Sequence, residues 1–522
     1  MSTAREASFL KMRGHKLSVA QIFLIAAPAF FLFGYNQSGV GGLLSLQDWT
    51  KHFPQIDTVH TKGEVKAKNS TLQGFVVATF TIGALFGALS CSRIGDIFGR
   101  RKMIFGAATL SLIGEVLQCT SFGLAQFIVG RVILGLGIGV LSATVPVWQS
   151  ECSPAKNRGK HVVLDGLFIS FGYMTAAWVN LGFFQLKPGP IPWRLPLAIP
   201  TLISILLMST TFFLPESPRW LVRQNRLQEA AYALSALQGL PSDSDSVRHE
   251  IDAISYTLES SRDTAKFRDI FTMGHEKLFY RFMLCFFLQF AQQMSGGNLI
   301  SVYSTIIFQE NLGLSSQVSR ILSGGTLTWK FLSCFVAFFT VDRFGRRALL
   351  MVSGGGMALC MMSLCIATSF PETNKSASVA AVFFIFMFNF FIPIGFLGAN
   401  FLYCTEVAPI RLRMAMTSVS TANHWLWNLV VTLLTPVAIN SIGFRYYIVY
   451  TCIGMVIPIS VFVFYPETMG RSLEELEDIF RSNESIFKIV SASRHAPIKG
   501  APTVEDDKLD ISEELVEVVK GV

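Results

Sequence analysis

The chain has 522 residues, of which 51% are hydrophobic and 15% are charged, and its formal net charge is +8. Soluble domains carry about 25% charged residues, so this composition excludes a soluble enzyme, a disordered chain and a collagen-like fibre, and it indicates an integral membrane protein. Lys and Arg fall in short clusters between apolar runs and form no continuous stripe, which argues against a nucleic-acid partner.

The chain begins with a polar, basic stretch, residues 1–18, which leads into an apolar run without a cleavage pattern. We interpret it as a retained cytoplasmic tail. A helix needs about 20 mainly apolar residues to cross a bilayer. Twelve stretches meet that requirement, and they cover residues 19–43, 73–92, 103–121, 125–148, 162–184, 195–214, 279–308, 319–341, 347–370, 377–404, 414–438 and 443–465.

The short segments near 93–102, 151–160, 342–347 and 406–413 are basic and would all lie on the same side of the membrane. The positive-inside rule therefore predicts that both termini are cytoplasmic. We expect a multi-pass protein of the plasma membrane, with the vacuolar membrane as the alternative, and a monomer.

Between the sixth and seventh crossings lies a polar segment with two amphipathic stretches, around Leu221–Leu237 and Val247–Leu258. We expect cytoplasmic helices there, beneath the bundle. The final tail ends in an acidic stretch, Glu505–Glu517, that we expect to be disordered. The predicted organisation is an N-terminal tail at 1–18, a first bundle at 19–214, a linker at 215–278, a second bundle at 279–465 and a C-terminal tail at 466–522.

The two bundles carry an internal repeat. The segment Asp96–Arg101 recurs as Asp342–Arg347, and Glu216 in Pro-Glu-Ser recurs as Glu467 in Pro-Glu-Thr. A third pair is Glu151-Cys-Ser-Pro with Arg158 and Glu406-Val-Ala-Pro with Arg413, at nearly the same offset. The sequence thus predicts two pseudo-symmetric six-helix bundles whose shared cavity can open to either side of the membrane.

These motifs resemble the sugar porter family of the major facilitator superfamily, and the surroundings of Trp425 are similar to its fungal members. The resemblance implies an all-helical fold that transports a sugar by alternating access, without catalysis and without a cofactor. A monosaccharide is the first expectation. The segments that carry the resemblance are 93–102, 130–131, 215–220, 292–298 and 466–471.

We expect the charged clusters to pair across the two halves, and the resemblance implies that these pairs form a gate network that keeps the outward-facing state closed on its cytoplasmic side. The alternative is that the basic loops only signal topology. The candidates are Asp96, Arg100, Glu151 and Arg158 in the first half and Asp342, Arg346, Glu406 and Arg413 in the second.

An uncharged polyol needs hydrogen-bond donors and acceptors that bring no full charge into the bilayer, and amide side chains supply both. Gln292, Gln293 and Asn298 fit this need, and on one continuous helix they would lie within two turns. In the family the corresponding amides hold sugar hydroxyls. The alternative is hydrogen bonding between helices.

The resemblance adds Trp425, Asn428, Tyr303 and Phe401 as substrate-site candidates, although Phe401 fits simple packing equally well. The chain departs from hexose carriers at Gly166, where they usually have glutamine. A hydrogen-bond partner is therefore missing, and a disaccharide, pentose, polyol or sugar acid stays open.

Energy coupling depends on Asn36, which stands where proton-coupled relatives have an aspartate linked to the arginine that matches Arg131. Asparagine cannot titrate, so the sequence favours facilitated uniport. Glu115 and Asp165 are ionisable at membrane depth, and either would supply the missing carboxylate in a proton symporter. His424 is a further ionisable residue in the eleventh crossing.

The alternative function is a nutrient sensor that keeps the carrier fold and signals through its cytoplasmic tail. Sensors that resemble this family have a much extended tail, so the short segment after Pro466 disfavours this function. The nine cysteines and eight histidines show no metal-ligand spacing, so no metal site is expected. Gly135, Gly137 and Gly139 in the fourth crossing have no preceding strand, and we interpret them as sites of close helix packing.

Overall fold

The computed structural model describes residues 12–153, 158–186, 189–259, 267–370, 374–397, 399–409, 412–469, 471, 473–482 and 485–495. Every regular element in these ranges is a helix, which confirms the predicted all-helical class. The acidic stretch 505–517 lies outside the described residues, as do the side chains of Arg158, Asp342 and Phe401.

Ten helices in the described ranges are long and apolar enough to span a bilayer by themselves. The seventh and eleventh crossings complete the predicted twelve. The seventh consists of two helices, Leu278–Met294 and Gly297–Ile306. The eleventh, Arg413–Ile442, is a single long helix with many polar residues. Among the described residues, each of these two crossings carries more buried polar side chains than any other crossing, and the seventh is also split into two short helices.

The crossings are named here by their order along the chain, and the tenth is also interrupted. They are His15–Ser38, Gly63–Phe98, Arg100–Cys119, Leu124–Cys152, Arg158–Phe184, Ile191–Thr211, the pair Leu278–Met294 and Gly297–Ile306, Ser316–Phe344, Arg346–Thr368, the pair Lys375–Phe396 and Ala399–Val407, Arg413–Ile442 and Tyr446–Phe464.

Glycines let the crossings of the first half approach closely. A Cβ atom on Gly135 would lie 2.1 Å from the Phe80 carbonyl oxygen, and one on Gly139 would lie 2.1 Å from that of Ala84. A Cβ atom on Gly137 would lie 2.4 Å from Ser111 Oγ. Because no side chain fits at these distances, the packing interpretation of the three glycines is confirmed.

The described part of the linker contains three α-helices, Pro218–Arg223, Leu227–Gln238 and Asp245–Glu259, and a short 3-10 helix, Phe267–Phe271. The first of the two expected amphipathic stretches therefore forms two helices, and the second forms one. Ser217 begins the first helix by accepting a hydrogen bond from the Trp220 N–H. Asn225, in the left-handed region at φ 59°, separates the first helix from the second. The three helices pack together through a small apolar cluster of Trp220, Leu221, Val222, Ala230 and Ala233, with Ile251 and Ile254 against it.

The C-terminal tail contains two helices that the sequence analysis did not predict, Leu473–Ser482 and Ile486–His495. Their apolar residues Ile479, Phe480 and Ile489 are buried in the core of the second half. Arg481 forms ion pairs with Glu477 and with Glu276 of the linker, both at 2.8 Å. The tail therefore begins as a docked structure, because a few apolar residues at helical spacing suffice to anchor a polar helix.

Candidate substrate site

A small cavity lies between the two halves, and residues of both halves line it. The first half contributes Phe33, Gln37, Ile169 and Tyr173, from its first and fifth crossings. The second half contributes the rest, from its seventh, eighth, tenth and eleventh crossings: Gln292, Gln293, Gly297, Asn298, Ser301, Lys330, Ile392, Leu397 and His424.

The seventh crossing breaks inside the cavity, which the sequence analysis did not anticipate. Gly296 lies between the two helices at φ 93°, a conformation that L side chains rarely adopt. A Cβ atom there would also lie 2.3 Å from Met361 Cε. Gln292 and Gln293 therefore end one helix and Asn298 begins the next, and all three predicted amides still line the same cavity.

A network of amides and one histidine forms the side of the cavity nearest the eleventh crossing. His424 Nδ1 lies 3.0 Å from Gln292 Oε1 and 3.2 Å from Gln289 Oε1, so it donates to these oxygens. His424 Nε2 then accepts from Gln293 Nε2 at 3.0 Å. Asn400 of the tenth crossing donates to Gln289 at 3.2 Å and also to Gln292. The network fixes the orientation of the Gln292 and Gln293 amides, which line the cavity.

A second chain of hydrogen bonds connects the halves at Asn298. Gln37 Nε2 of the first crossing donates to Asn298 Oδ1 at 2.8 Å. Asn298 Nδ2 donates to Asn428 Oδ1 at 2.8 Å and to Thr432 Oγ1 at 3.1 Å. Asn428 thus stands behind Asn298 and orients it, whereas Gln37, which the sequence analysis missed, reaches across from the other half.

Three further candidates lie behind the lining residues. The Tyr303 hydroxyl donates to the Thr432 carbonyl at 3.0 Å. Trp425 Nε1 donates to Ser142 Oγ of the first half at 3.1 Å, and the indole packs 4.9 Å from the ring of Phe33. The Gly166 carbonyl accepts from Cys334 Sγ at 3.9 Å. Trp425 and Gly166 therefore connect the two halves beside the cavity, and Tyr303 forms its hydrogen bond within the second half.

Lys330 lines the cavity, and the sequence analysis did not single it out. Its Nζ donates to Ser301 Oγ at 2.9 Å and lies 4.5 Å from the centre of the Tyr173 ring. The side chain is buried. The signal that identifies it is a cation in the middle of an apolar crossing, which is a functional indication in any membrane protein.

The candidate coupling residues form a separate cluster in the first half. Asn36 Nδ2 donates to Glu115 Oε1 at 3.1 Å, and Ser204 Oγ donates to Glu115 Oε2 at 2.8 Å. Arg131 donates to the carbonyl of Asn36 at 3.4 Å and to that of Val77 at 2.8 Å. Glu115 and Arg131 are therefore connected through Asn36. Asp165 is fully buried and does not line the cavity.

The observed distances place the gate pairs within each half, whereas the sequence analysis expects pairs across the two halves. Arg100 forms a two-pronged contact with Glu151 at 3.0 and 3.2 Å and lies 3.5 Å from Asp96. In the second half Arg346 lies 3.4 Å from Glu406. Arg413 is buried at the start of the eleventh crossing. These pairs stabilise the helix ends on the linker side of each bundle.

The internal sequence repeat forms the same cap at the N-termini of the third and ninth crossings. Glu216 accepts the backbone N–H groups of Arg100 and Arg101, each at 3.1 Å. Glu467 accepts those of Arg346 and Arg347, at 3.0 and 3.1 Å. A carboxylate at a helix N-terminus satisfies unpaired donors and complements the helix dipole. Both halves therefore use the same motif to tie a polar segment to a crossing.

Comparison with known proteins finds relatives among membrane transporters. An MFS-type transporter of Aspergillus oryzae, oryC, is 35% identical over 472 residues, which cover 89% of this chain and 86% of the relative. The sugar transporter STL1 of Saccharomyces cerevisiae is 31% identical over 495 residues, covering 93% and 85%. The high-affinity fructose transporter ght6 of Schizosaccharomyces pombe is 31% identical over 478 residues, covering 90% and 88%.

Solved structures show the same fold. The proton:xylose symporter XylE bound to 6-bromo-6-deoxy-D-glucose superposes with a TM-score of 0.76 at 24% identity, covering 89% of this chain and 99% of that one. The family model described as "Sugar (and other) transporter" matches residues 22–480. The chain therefore belongs to the sugar transporter family of the major facilitator superfamily.

Proposed function

We propose that the protein carries a small, hydroxyl-rich solute through the cavity between its two halves by alternating access. The observation that carries the proposal is the convergence of Gln292, Gln293 and Asn298 on a cavity that both halves line. Amides donate and accept hydrogen bonds without charge, as sugar hydroxyls require. The relatives named for sugar and fructose transport support a monosaccharide or a close derivative as the solute.

For alternating access, the contacts that join the two halves on one side of the cavity must break while those on the other side hold, and then the reverse. On the side away from the linker, Gln37 contacts Asn298, and Arg320 donates to the Gly42 carbonyl at 2.5 Å. On the linker side, Trp425 contacts Ser142. We propose that loss of the first set opens the cavity outward and loss of the second opens it inward. The gate pairs keep each half rigid during this rocking.

We further propose a plasma-membrane protein that acts as a monomer with both termini in the cytoplasm. Arg100, Arg101, Arg346 and Arg347 all lie at the linker end of their crossings, which agrees with a cytoplasmic linker. Both halves of a single chain line the cavity, which supports a monomer as the transporting unit.

Facilitated uniport is the proposed mode, because Asn36 cannot carry a proton. Proton symport is the second candidate, and the hydrogen bond between Asn36 and Glu115 favours it, since it brings a carboxyl to the position where the aspartate is missing. The two modes differ in whether a proton gradient drives accumulation of the solute.

Uptake into proteoliposomes, measured over a panel of neutral and acidic sugars, tests the proposal. We expect saturable uptake of at least one member. Specific binding without flux of any bound solute would instead support a nutrient sensor.

A further inference from the structure

Lys330 is a buried cation inside the cavity. Its side chain is 2% exposed, and its contacts are the hydroxyl of Ser301 and the ring face of Tyr173. Neither contact carries a negative charge. A buried charge is costly unless a counter-charge or several hydrogen bonds compensate it, and membrane depth adds to that cost.

The cavity supplies no counter-charge to this lysine. Among its lining residues there is neither Asp nor Glu, and no ion pair in the described ranges includes Lys330. Glu115 is engaged by Asn36 and Ser204, and neither it nor Asp165 lines the cavity. The imidazole of His424, which also lines the cavity, is hydrogen-bonded to the amides of Gln292 and Gln293.

We propose that the missing counter-charge comes from the solute: the cavity takes a hydroxyl-rich molecule that carries one carboxylate, and Lys330 binds that carboxylate. The inference rests on the proposed transport function and names its substrate class. It selects the sugar acid among the solutes that the sequence analysis left open.

Two groups of cavity residues would bind different parts of the solute. Gln292, Gln293 and Asn298 present amides suited to hydroxyl groups. At Lys330, Ser301 Oγ accepts a hydrogen bond from the ammonium, so its own proton is available to a carboxylate oxygen. A single cation matches a single negative charge, which favours a carboxylate over a phosphate ester that carries nearly two charges at neutral pH.

The test uses matched pairs of probes that differ only at one carbon: D-glucuronate with D-glucose, and D-gluconate with D-glucitol. Binding to the purified protein and uptake into proteoliposomes are both measured. We expect the acid of at least one pair to bind about tenfold or more tightly than its neutral partner, the ratio that one charge-assisted hydrogen bond supports.

The variant Lys330→Met removes the charge and keeps the length of the side chain. We expect the ratio of acid to neutral affinity to fall to about one in this variant, and its melting temperature without ligand to rise because an uncompensated buried charge is gone. Lys330→Gln must show the same loss of preference, and it replaces the methionine variant if that protein does not fold. Lys375→Met, at an exposed lysine of the tenth crossing, is the matched control and should change neither property.

Three outcomes overturn the inference. Equal or tighter binding of the neutral partner in both pairs would do so, as would an acid preference that survives in Lys330→Met. Both results leave the transport proposal intact if neutral sugars are still taken up. Absence of binding and uptake for every probe would reject the transport proposal, and the inference with it.

Discussion

Asn36 donates a side-chain hydrogen bond to Glu115 at 3.1 Å, and its main-chain carbonyl accepts one from Arg131 at 3.4 Å. One neutral residue thus stands between a buried acid and a buried base in the first half. Glu115 and Arg131 therefore do not contact each other through these bonds but are connected through Asn36. Substitutions at Asn36 and Glu115 can test whether transport is coupled to protons.

The first prediction concerns that relay. Under uniport, collapsing the proton gradient leaves the initial uptake rate of the wild type unchanged within about twofold, and Glu115→Gln retains transport, since the amide still accepts from Ser204. Asn36→Asp is expected to introduce a dependence on the gradient, because it places a second carboxyl against Glu115, and two adjacent carboxyls favour uptake of a shared proton. Accumulation by the wild type against a solute gradient, abolished in Glu115→Gln, would establish proton symport instead.

The second prediction concerns the amides of the cavity. Gln293→Ala removes a side chain that lines the cavity and contacts His424. We expect a roughly tenfold loss of solute affinity, which corresponds to about 1.4 kcal/mol, with expression intact. Gln118→Ala is the control, because Gln118 is a buried amide that bonds to its own helix at the Gly114 carbonyl. Wild-type affinity in Gln293→Ala would reject its assigned contact.

The third prediction concerns the cap shared by both halves. Gly345 lies at φ 83°, and a Cβ atom there would be 2.6 Å from Glu467 Oε2. Gly345→Ala should therefore destabilise the protein by about 1–3 kcal/mol, measured as a lower melting temperature. Gly355 lies inside the helix that follows Gly345, Arg346–Thr368, with nothing within 4 Å of a Cβ atom, so Gly355→Ala should be neutral or stabilising by up to about 1 kcal/mol. Equal melting temperatures for the two variants would contradict the account of the cap.

The fourth prediction concerns the gate pair of the first half. Arg100 and Glu151 are 5% and 9% exposed, so removing one leaves the other as a buried charge. A double-mutant cycle with Arg100→Met and Glu151→Met should give a coupling energy of about 1–3 kcal/mol. The exposed pair Arg226–Glu229, also in contact at 2.6 Å, is the control and should give at most about 1 kcal/mol. Similar coupling energies for the two pairs would mean that burial does not strengthen the Arg100–Glu151 interaction.

The architecture was predictable because its signals are strong and repeated. Apolar length gives the crossings, and the recurrence of the Asp96 motif at Asp342 gives the two halves. The amides Gln292, Gln293 and Asn298 were predicted as candidates from residue chemistry and the family pattern. Their common cavity was also expected, although the reason given, one continuous helix, was wrong because the helix breaks at Gly296.

Other parts of the site depend on contacts between distant segments, which one sequence does not display. Gln37 becomes a cavity residue only because the first crossing meets the seventh at Asn298. Lys330 was detectable in the sequence as a charge at membrane depth. That no Asp or Glu lines the cavity around it could be seen only once all the lining residues were known. The tail helices were missed because Ile479, Phe480 and Ile489 are few among polar residues, and their burial depends on a surface of the second half.

The central claim is that the cavity carries its solute from one side of the membrane to the other. Counterflow in proteoliposomes tests it most directly: vesicles are preloaded with the unlabelled solute that binds best, and a trace of the labelled solute is added outside. The account predicts a transient accumulation of label above equilibrium with the wild type, and a half-saturating concentration about tenfold higher with Gln293→Ala. Binding of the solute without any such accumulation would contradict it.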